Sequence, residues 1–110
     1  MQADDPILVL CTAPDDVVGA RLARELVERR LAACVNIIAG VRSFYRWKGT
    51  LHADAEVQLI IKSRRGRFEA LRDCLNEHHP YDVPEVLALP IVAGSEPYLE
   101  WMAAQTHDEA

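Results

Sequence analysis

The stretch LAACVNIIAGVRSFYRWKGTLHADAEVQLIIKS, residues 31–63, decides the fold of this chain. Its first half alternates, and the residues that share one side of an extended chain are Val35, Ile37, Ala39, Val41, Tyr45 and Trp47. Its second half alternates too, and its inward residues are Val57, Leu59 and Ile61. Residues 48–50, between the halves, are typical of a turn. The stretch therefore predicts one long β-hairpin.

This hairpin is too long for the domain that carries it. Residues 35–48 would span roughly 45 Å at about 3.3 Å per residue. A compact chain of this length is only about 35 Å across. We therefore expect the aromatic and basic tip, residues 44–48, to project beyond the domain. Exposed strand edges of this kind are usually charged, covered or paired with another chain, so the hairpin predicts an oligomer.

The chain before the hairpin predicts a strand and a helix. Residues 7–11 form an apolar run that is typical of a fully buried strand. Pro14 and the acidic residues 15–16 mark the start of a helix, and the basic charges at residues 29–30 suit its end.

The chain after the hairpin predicts a second helix, a strand and a last helix. An apolar stripe over residues 68–75 indicates the second helix, which His79-Pro80 ends. Residues 83–92, bracketed by two prolines, predict the last strand, and Ser95 suits the start of the added helix. The order of elements predicts an α+β fold, a ferredoxin-like βαββαβ sandwich with sheet order 4-1-3-2 and a C-terminal helix.

Length and composition restrict the class of protein. We expect a single domain over residues 1–110, with an ordered core at about 7–105. The formal charge of −5 disfavours nucleic acid as a partner. No apolar run approaches the roughly eighteen residues that cross a bilayer, so no membrane partner is expected. An N-terminus without a basic leader, and three cysteines without CxxC spacing, predict reduced thiols in the cytoplasm.

Three scattered residues come together on this topology. Cys11 lies at the exit of the first strand and Glu85 at the entry of the last, and these ends are adjacent because the strands are antiparallel neighbours. His78 closes the second helix and continues its apolar stripe, so we expect its ring to point inward. A thiol, an imidazole and a carboxylate form a ligand set suited to copper or zinc. The alternative is a core thiol and a core histidine, since the residues lack a metal-ligand spacing motif.

The remaining polar residues predict less. We expect His79 to face solvent, and Cys34 and Cys74 to fill the core. The basic side chains on the polar side of the hairpin could frame a subunit cleft for a small anion or form a charged edge; they are Arg42, Arg46, Lys48 and Lys62. No Gly-rich phosphate loop, Ser/His/Asp arrangement or HExxH stretch is present, so we do not expect an enzyme.

Several blocks of the sequence resemble a known family. The blocks are LCTAPD at 10–15, LAACVNI at 31–37, SFYRWKG at 43–49, EVQLIIKS at 56–63, HHPYDVPEVLALPI at 78–91 and YLEWM at 98–102. Together they resemble the CutA divalent-cation tolerance proteins, over about residues 7–105. Two positions depart from the family pattern, which commonly has a proline at the position of Ala39 and an aromatic residue at that of Arg46.

The resemblance implies a ferredoxin-like fold in a tight homotrimer with interlocking hairpins, a cytoplasmic location, and a link to copper and other divalent metals. The copper ligands proposed for the family fall on Cys11, His78 and Glu85. One function it implies is the binding of a copper ion, or of zinc or another divalent cation, for tolerance of metals. The alternative is a trimeric signalling or scaffold module like the nitrogen-regulatory PII proteins, with a small anion or a partner protein in the clefts between subunits.

Overall fold

The computed structural model describes residues 1–107 of the chain. The elements are, in order, β1 (Pro6–Ala13), α1 (Asp16–Glu28), β2 (Cys34–Trp47), β3 (Thr50–Arg64), a 3-10 turn (Arg65–Arg67), α2 (Phe68–His78), β4 (Leu87–Pro90) and α3 (Glu96–Gln105). The strands form one antiparallel sheet in the order β2-β3-β1-β4. The α+β, ferredoxin-like prediction is confirmed, with its sheet order and added helix. The predicted domain runs on to residue 110, and residues 108–110 lie outside the described part.

Helices α1 and α2 cover one face of the sheet and create the core. Alternate residues of β1 are buried, and the helices bury an apolar stripe against them; the set includes Ile7, Val9, Cys11, Leu22, Leu26, Leu71 and Leu75. Helix α1 begins where Asp15 accepts a hydrogen bond from the Val18 N–H at 2.9 Å, as an N-cap aspartate does. Helices α1 and α2 do not cover the other face of the sheet, which we call the open face; α3 approaches it where the Lys62 ammonium lies over the Tyr98 ring.

The β2–β3 hairpin contains a bulge at Gly40. Ahead of the bulge, Val35 pairs with Ile61, which is buried under the helices. The register then shifts between residues 38 and 41, where Gly40 has a φ of 79°. Glycine adopts this left-handed conformation readily, and it is the kind of residue that allows one strand to carry an extra residue.

The bulge moves the outer half of β2 to the open face. Val41 pairs with Glu56, and the next residue of β3, Val57, is buried on the helix side. Opposite residues of an antiparallel pair share a face, so Val41 and Glu56 both lie on the open face. The residues displaced in this way are Val41, Tyr45 and Trp47. The prediction that they share a face with Val35 is wrong, because simple alternation does not continue across the extra residue.

The hairpin makes the chain elongated, with extents of 44 × 28 × 23 Å. Lys48 and Gly49 form its two-residue turn, both with positive φ, as tight hairpins require. At the tip, Phe44 is 63% exposed and Leu51 is 66% exposed. These features agree with the prediction of a projecting hairpin. Within residues 1–107, no helix is both long and apolar enough to span a membrane.

The last strand is shorter than the predicted 83–92. It pairs with β1 only over Leu87–Pro90. Pro84 has no N–H to donate to a neighbouring strand. The next residue, Glu85, is held by a hydrogen bond from the Gln58 side chain to its carboxylate and not by strand pairing. Residues 79–86 therefore form an irregular segment against the C-terminal end of β1, and we call it the 79–86 connection.

Candidate functional site

Cys11 lies near the end of β1 with its side chain in the core. It is fully buried and stands opposite Leu59. Its thiol lies 3.5 Å from the carbonyl oxygen of Thr12. Burial, followed by the negative charges of Glu85 and Glu56, raises the pKa of the Cys11 thiol to about 12. The thiol therefore keeps its proton at neutral pH, and a metal ion that binds the sulfur must displace that proton.

Glu85 approaches the same strand from the open face. Its Oε2 accepts a hydrogen bond from Gln58 Nε2 at 3.3 Å, and the same nitrogen donates to the carbonyl oxygen of Cys11 at 3.1 Å. Gln58 precedes the inward-facing Leu59, so its side chain lies on the open face. One amide thus links Glu85 to the backbone of Cys11, while the thiol and the carboxylate lie on opposite faces of the sheet.

The ring of His78 lies against its own helix. Its Nδ1 is 3.0 Å from the carbonyl oxygen of Cys74 and 3.9 Å from the Cys74 Sγ. The backbone carbonyl of His78 accepts a hydrogen bond from Arg21 at 3.5 Å. The structure therefore brings Cys11 and Glu85 to one strand end, whereas the His78 ring is bonded to the carbonyl oxygen of Cys74.

The three predicted ligands do not fit a single ion in the chain as it stands. Across residues 1–107, no three or more His, Cys, Asp or Glu side chains are grouped closely enough to hold one metal ion. The types of donor atom suit copper or zinc, but their placement does not. Metal binding by all three would need a change of conformation.

His79, which was not among the predicted ligands, lies against the end of β1. Its side chain is buried, with Nε2 2.7 Å from the carbonyl oxygen of Thr12, next to Cys11. Its Nδ1 accepts a hydrogen bond from the Tyr81 N–H at 3.1 Å, so Nε2 carries the proton and donates to Thr12.

The prediction that His79 faces solvent is wrong for a reason visible in the sequence. Pro80 disfavours the helical conformation for the residue before it. His79 is accordingly extended, with φ −79° and ψ 139°, and no longer follows the helical period of α2. Its ring points to β1, whereas the ring of His78 stays on the helix.

A cavity of about 540 Å³ lies on the open face, between the outer half of the hairpin and the 79–86 connection. Its aromatic lining is Phe44, Tyr45, Trp47 and Tyr81, and its acidic lining is Glu56, Asp82 and Glu85. The Tyr81 hydroxyl donates to Glu56 Oε2 at 2.7 Å. Burial and this bond to the carboxylate raise the pKa of Tyr81. Three carboxylates favour a cation over a small anion, which is one of the two kinds of ligand, beside a partner protein, in the PII-like alternative.

Sequence reasoning missed this cavity because it depends on the Gly40 bulge. Without the bulge, Tyr45 and Trp47 would point to the other face of the sheet and the cavity would lose one wall. The signal was the isolated glycine within an alternating strand pattern, which is typical of a bulge.

Comparison with known proteins gives a consistent result. Residues 7–105 match the model of a family described as CutA1 divalent ion tolerance protein. The divalent-cation tolerance protein CutA of Pectobacterium atrosepticum is 49% identical over 100 residues, which cover 91% of each chain. The crystal structure of CutA1 from Oryza sativa matches with a TM-score of 0.92 and 45% identity over 96% of each chain. The divalent cation tolerance protein of Thermus thermophilus matches with a TM-score of 0.90 and 43% identity, over 93% of this chain and 99% of that one.

Proposed function

The chain belongs to the CutA1 divalent ion tolerance family, and from this membership we propose that it binds a divalent cation as part of tolerance of metal ions. Copper is the ion that we propose first, with zinc or another divalent cation as alternatives. The proposed ligands are Cys11, His78 and Glu85. Their thiol, imidazole and carboxylate are the donor types that copper and zinc accept.

The negative charge at the end of β1 carries this proposal. Both Glu85 and Glu56 act on the Cys11 thiol and help to raise its pKa. Carboxylates that disfavour a thiolate favour a cation beside it, and a bound cation would in turn stabilise the thiolate. A divalent ion that replaces the thiol proton therefore gains the attraction of both carboxylates.

Binding through all three ligands requires the 79–86 connection to move. In the subunit, His78 contacts Cys74, and the sheet lies between the Cys11 thiol and Glu85. The connection begins directly after His78 and contains Glu85, and it makes no regular strand pairing. Its displacement would move Glu85, and the His78 side chain at the end of α2 would have to leave Cys74 as well.

We further propose that the working form is a homotrimer. The support is the apolar surface on the open face and at the hairpin tip, where Ile38 is 46%, Leu51 66% and Leu87 57% exposed. Large exposed apolar patches commonly mark protein interfaces. Sedimentation at micromolar concentration should show a species of three times the 12.3 kDa subunit mass, and a monomer would contradict the proposal.

The role that we propose is binding in the cytoplasm, without catalysis. The family is named for tolerance of ions and not for a reaction. The partners are then the cation and the other subunits. The formal charge of −5 opposes binding to the phosphates of nucleic acid.

Calorimetric titration with Cu²⁺ and with redox-inert Zn²⁺ tests the proposed ligands. We expect one divalent ion per subunit in the wild type, and affinity at least tenfold lower in Cys11→Ala and in Glu85→Gln. Cys34→Ala is the matched control, since it removes a half-buried thiol outside the proposed site. Unchanged stoichiometry and affinity in Cys11→Ala would rule out the three-residue site.

A further inference from the structure

A second thiol–imidazole pair lies on the helical side of the molecule. Cys74 and His78 are four residues apart on α2, and such residues share one face of a helix. The Cys74 Sγ lies 3.9 Å from His78 Nδ1. We propose that this pair is a binding site for the monovalent soft cation Cu(I), separate from the proposed divalent site.

The distance between the two donor atoms fits an ion placed between them. Metal–sulfur and metal–nitrogen bonds of about 2.3 Å and about 2.0 Å, as at zinc, sum to slightly more than the observed 3.9 Å. An ion bonded to both atoms therefore makes an obtuse angle of about 130° at the metal. Nδ1 now points at the Cys74 carbonyl oxygen at 3.0 Å, so the imidazole ring must turn towards the sulfur to bind the ion, while the backbone can stay in place.

The number and type of ligands select Cu(I). In the described residues 1–107, no third His, Cys, Asp or Glu side chain completes a group of three around an ion. A structural zinc ion takes four ligands in a tetrahedron, whereas Cu(I) is stable with two, and a thiolate is the ligand type that Cu(I) prefers. The pair therefore suits a soft ion of low coordination number better than it suits zinc.

Binding requires two proton movements, and both have a destination. The Cys74 thiol gives its proton to solvent as its sulfur bonds the ion. His78 Nδ1 faces the Cys74 carbonyl oxygen at 3.0 Å, and since that oxygen only accepts, Nδ1 carries the ring proton in the structure. On binding, this proton moves to Nε2 and the Nδ1 lone pair bonds the ion. Thiolate, Cu(I) and neutral imidazole together have no net charge, which suits the low exposure of Cys74 at 4%.

Helix α2 holds the pair in place. Leu71 and Leu75 are fully buried on the same side of the helix and fix it against the core. Preorganised ligands lose less freedom when they bind, so a site with only two protein ligands can still be selective. This inference does not rest on the divalent proposal, but both sites use His78. Cu(I) on Cys74 and His78 should therefore weaken divalent binding at Cys11.

An anaerobic titration with Cu(I) against the chromophoric chelator bicinchoninate tests the inference. We expect one Cu(I) per subunit in the wild type, in the matched control Cys34→Ser and in Cys11→Ser. We expect affinity at least tenfold lower in Cys74→Ser and in His78→Gln. Wild-type affinity in Cys74→Ser would overturn the inference, as would loss of Cu(I) binding in Cys11→Ser alone.

Two further measurements keep the outcomes distinct. Circular dichroism checks that each variant is folded. X-ray absorption of the Cu(I)-loaded Cys11→Ser protein examines the Cys74–His78 pair while both of its residues are intact. We expect one sulfur and one nitrogen neighbour of the copper. Nitrogen and oxygen neighbours alone would overturn the inference. Failure of divalent binding in wild-type protein that still takes up Cu(I) through Cys74 would remove the divalent proposal and support this one.

Discussion

Replacing Cys11 by alanine should remove an alkaline pH dependence from the stability of the fold. Folding raises the pKa of the Cys11 thiol from its ordinary value of 9.0 to about 12, and burial of the thiol is the main cause of this rise. Because folding raises this pKa, the thiol's contribution to the free energy of unfolding is complete below about pH 9. It is lost as the pH rises towards 12. At about 1.4 kcal/mol per unit, the full loss is about 4 kcal/mol, of which roughly 3 kcal/mol has gone by pH 11.

Chemical denaturation at several pH values measures this loss. The free energy of unfolding of the wild type and of Cys11→Ala is determined between about pH 8 and 11, with a reductant and at one protein concentration. Tyr81 also has a raised pKa, but it is present in both proteins. Its effect on the free energy of unfolding therefore cancels when the two proteins are subtracted. We expect the wild-type advantage to fall by roughly 3 kcal/mol over this range. A difference that does not change with pH would refute the assignment of a buried thiol beside two carboxylates, and Cys34→Ala serves as control.

Three further substitutions test the contacts that hold the site and the sheet, each by denaturant unfolding. Tyr81→Phe removes the hydroxyl that donates to Glu56 and should cost about 1 kcal/mol; no loss would show that this bond contributes nothing. Gly40→Ala puts a side chain at φ 79°, where no atom lies within 4 Å of the new Cβ, so the expected loss of about 1 kcal/mol is backbone strain, and Gly40→Asn should lose less. Ser63→Ala leaves the Leu31 carbonyl oxygen, now bonded at 2.6 Å in the core, without its donor and should cost about 1–2 kcal/mol, the desolvation penalty of a buried polar group; a stability equal to that of the wild type would contradict the bond.

The sequence predicted the elements well where one local rule decides them. The helical stripe of α2, the acidic start of α1 and the apolar run of β1 each have one dominant period or cap. The order of these elements then left few topologies, and the sheet order followed. Gly40 was different, because a glycine in an alternating pattern fits both a regular strand and a bulge, and only cross-strand pairing decides between them.

The site was predicted only in part. Antiparallel neighbours necessarily bring the end of β1 close to the start of β4, so the approach of Glu85 to Cys11 followed from topology. The face from which Glu85 approaches did not follow, because the path of an irregular connection depends on tertiary contacts. The end of α2 was predicted correctly, but His79 was expected to face solvent there, whereas the extended backbone before Pro80 turns its ring towards β1.

The most direct test of divalent cation binding through Cys11 is X-ray absorption at the zinc edge. The sample is Zn²⁺-loaded Cys74→Ser protein, in which the second thiol–imidazole pair is removed. We expect one sulfur neighbour at about 2.3 Å, with nitrogen and oxygen as the other neighbours, and loss of the sulfur when Cys11→Ser is added. A zinc ion surrounded only by nitrogen and oxygen in the Cys74→Ser protein would contradict the proposed site.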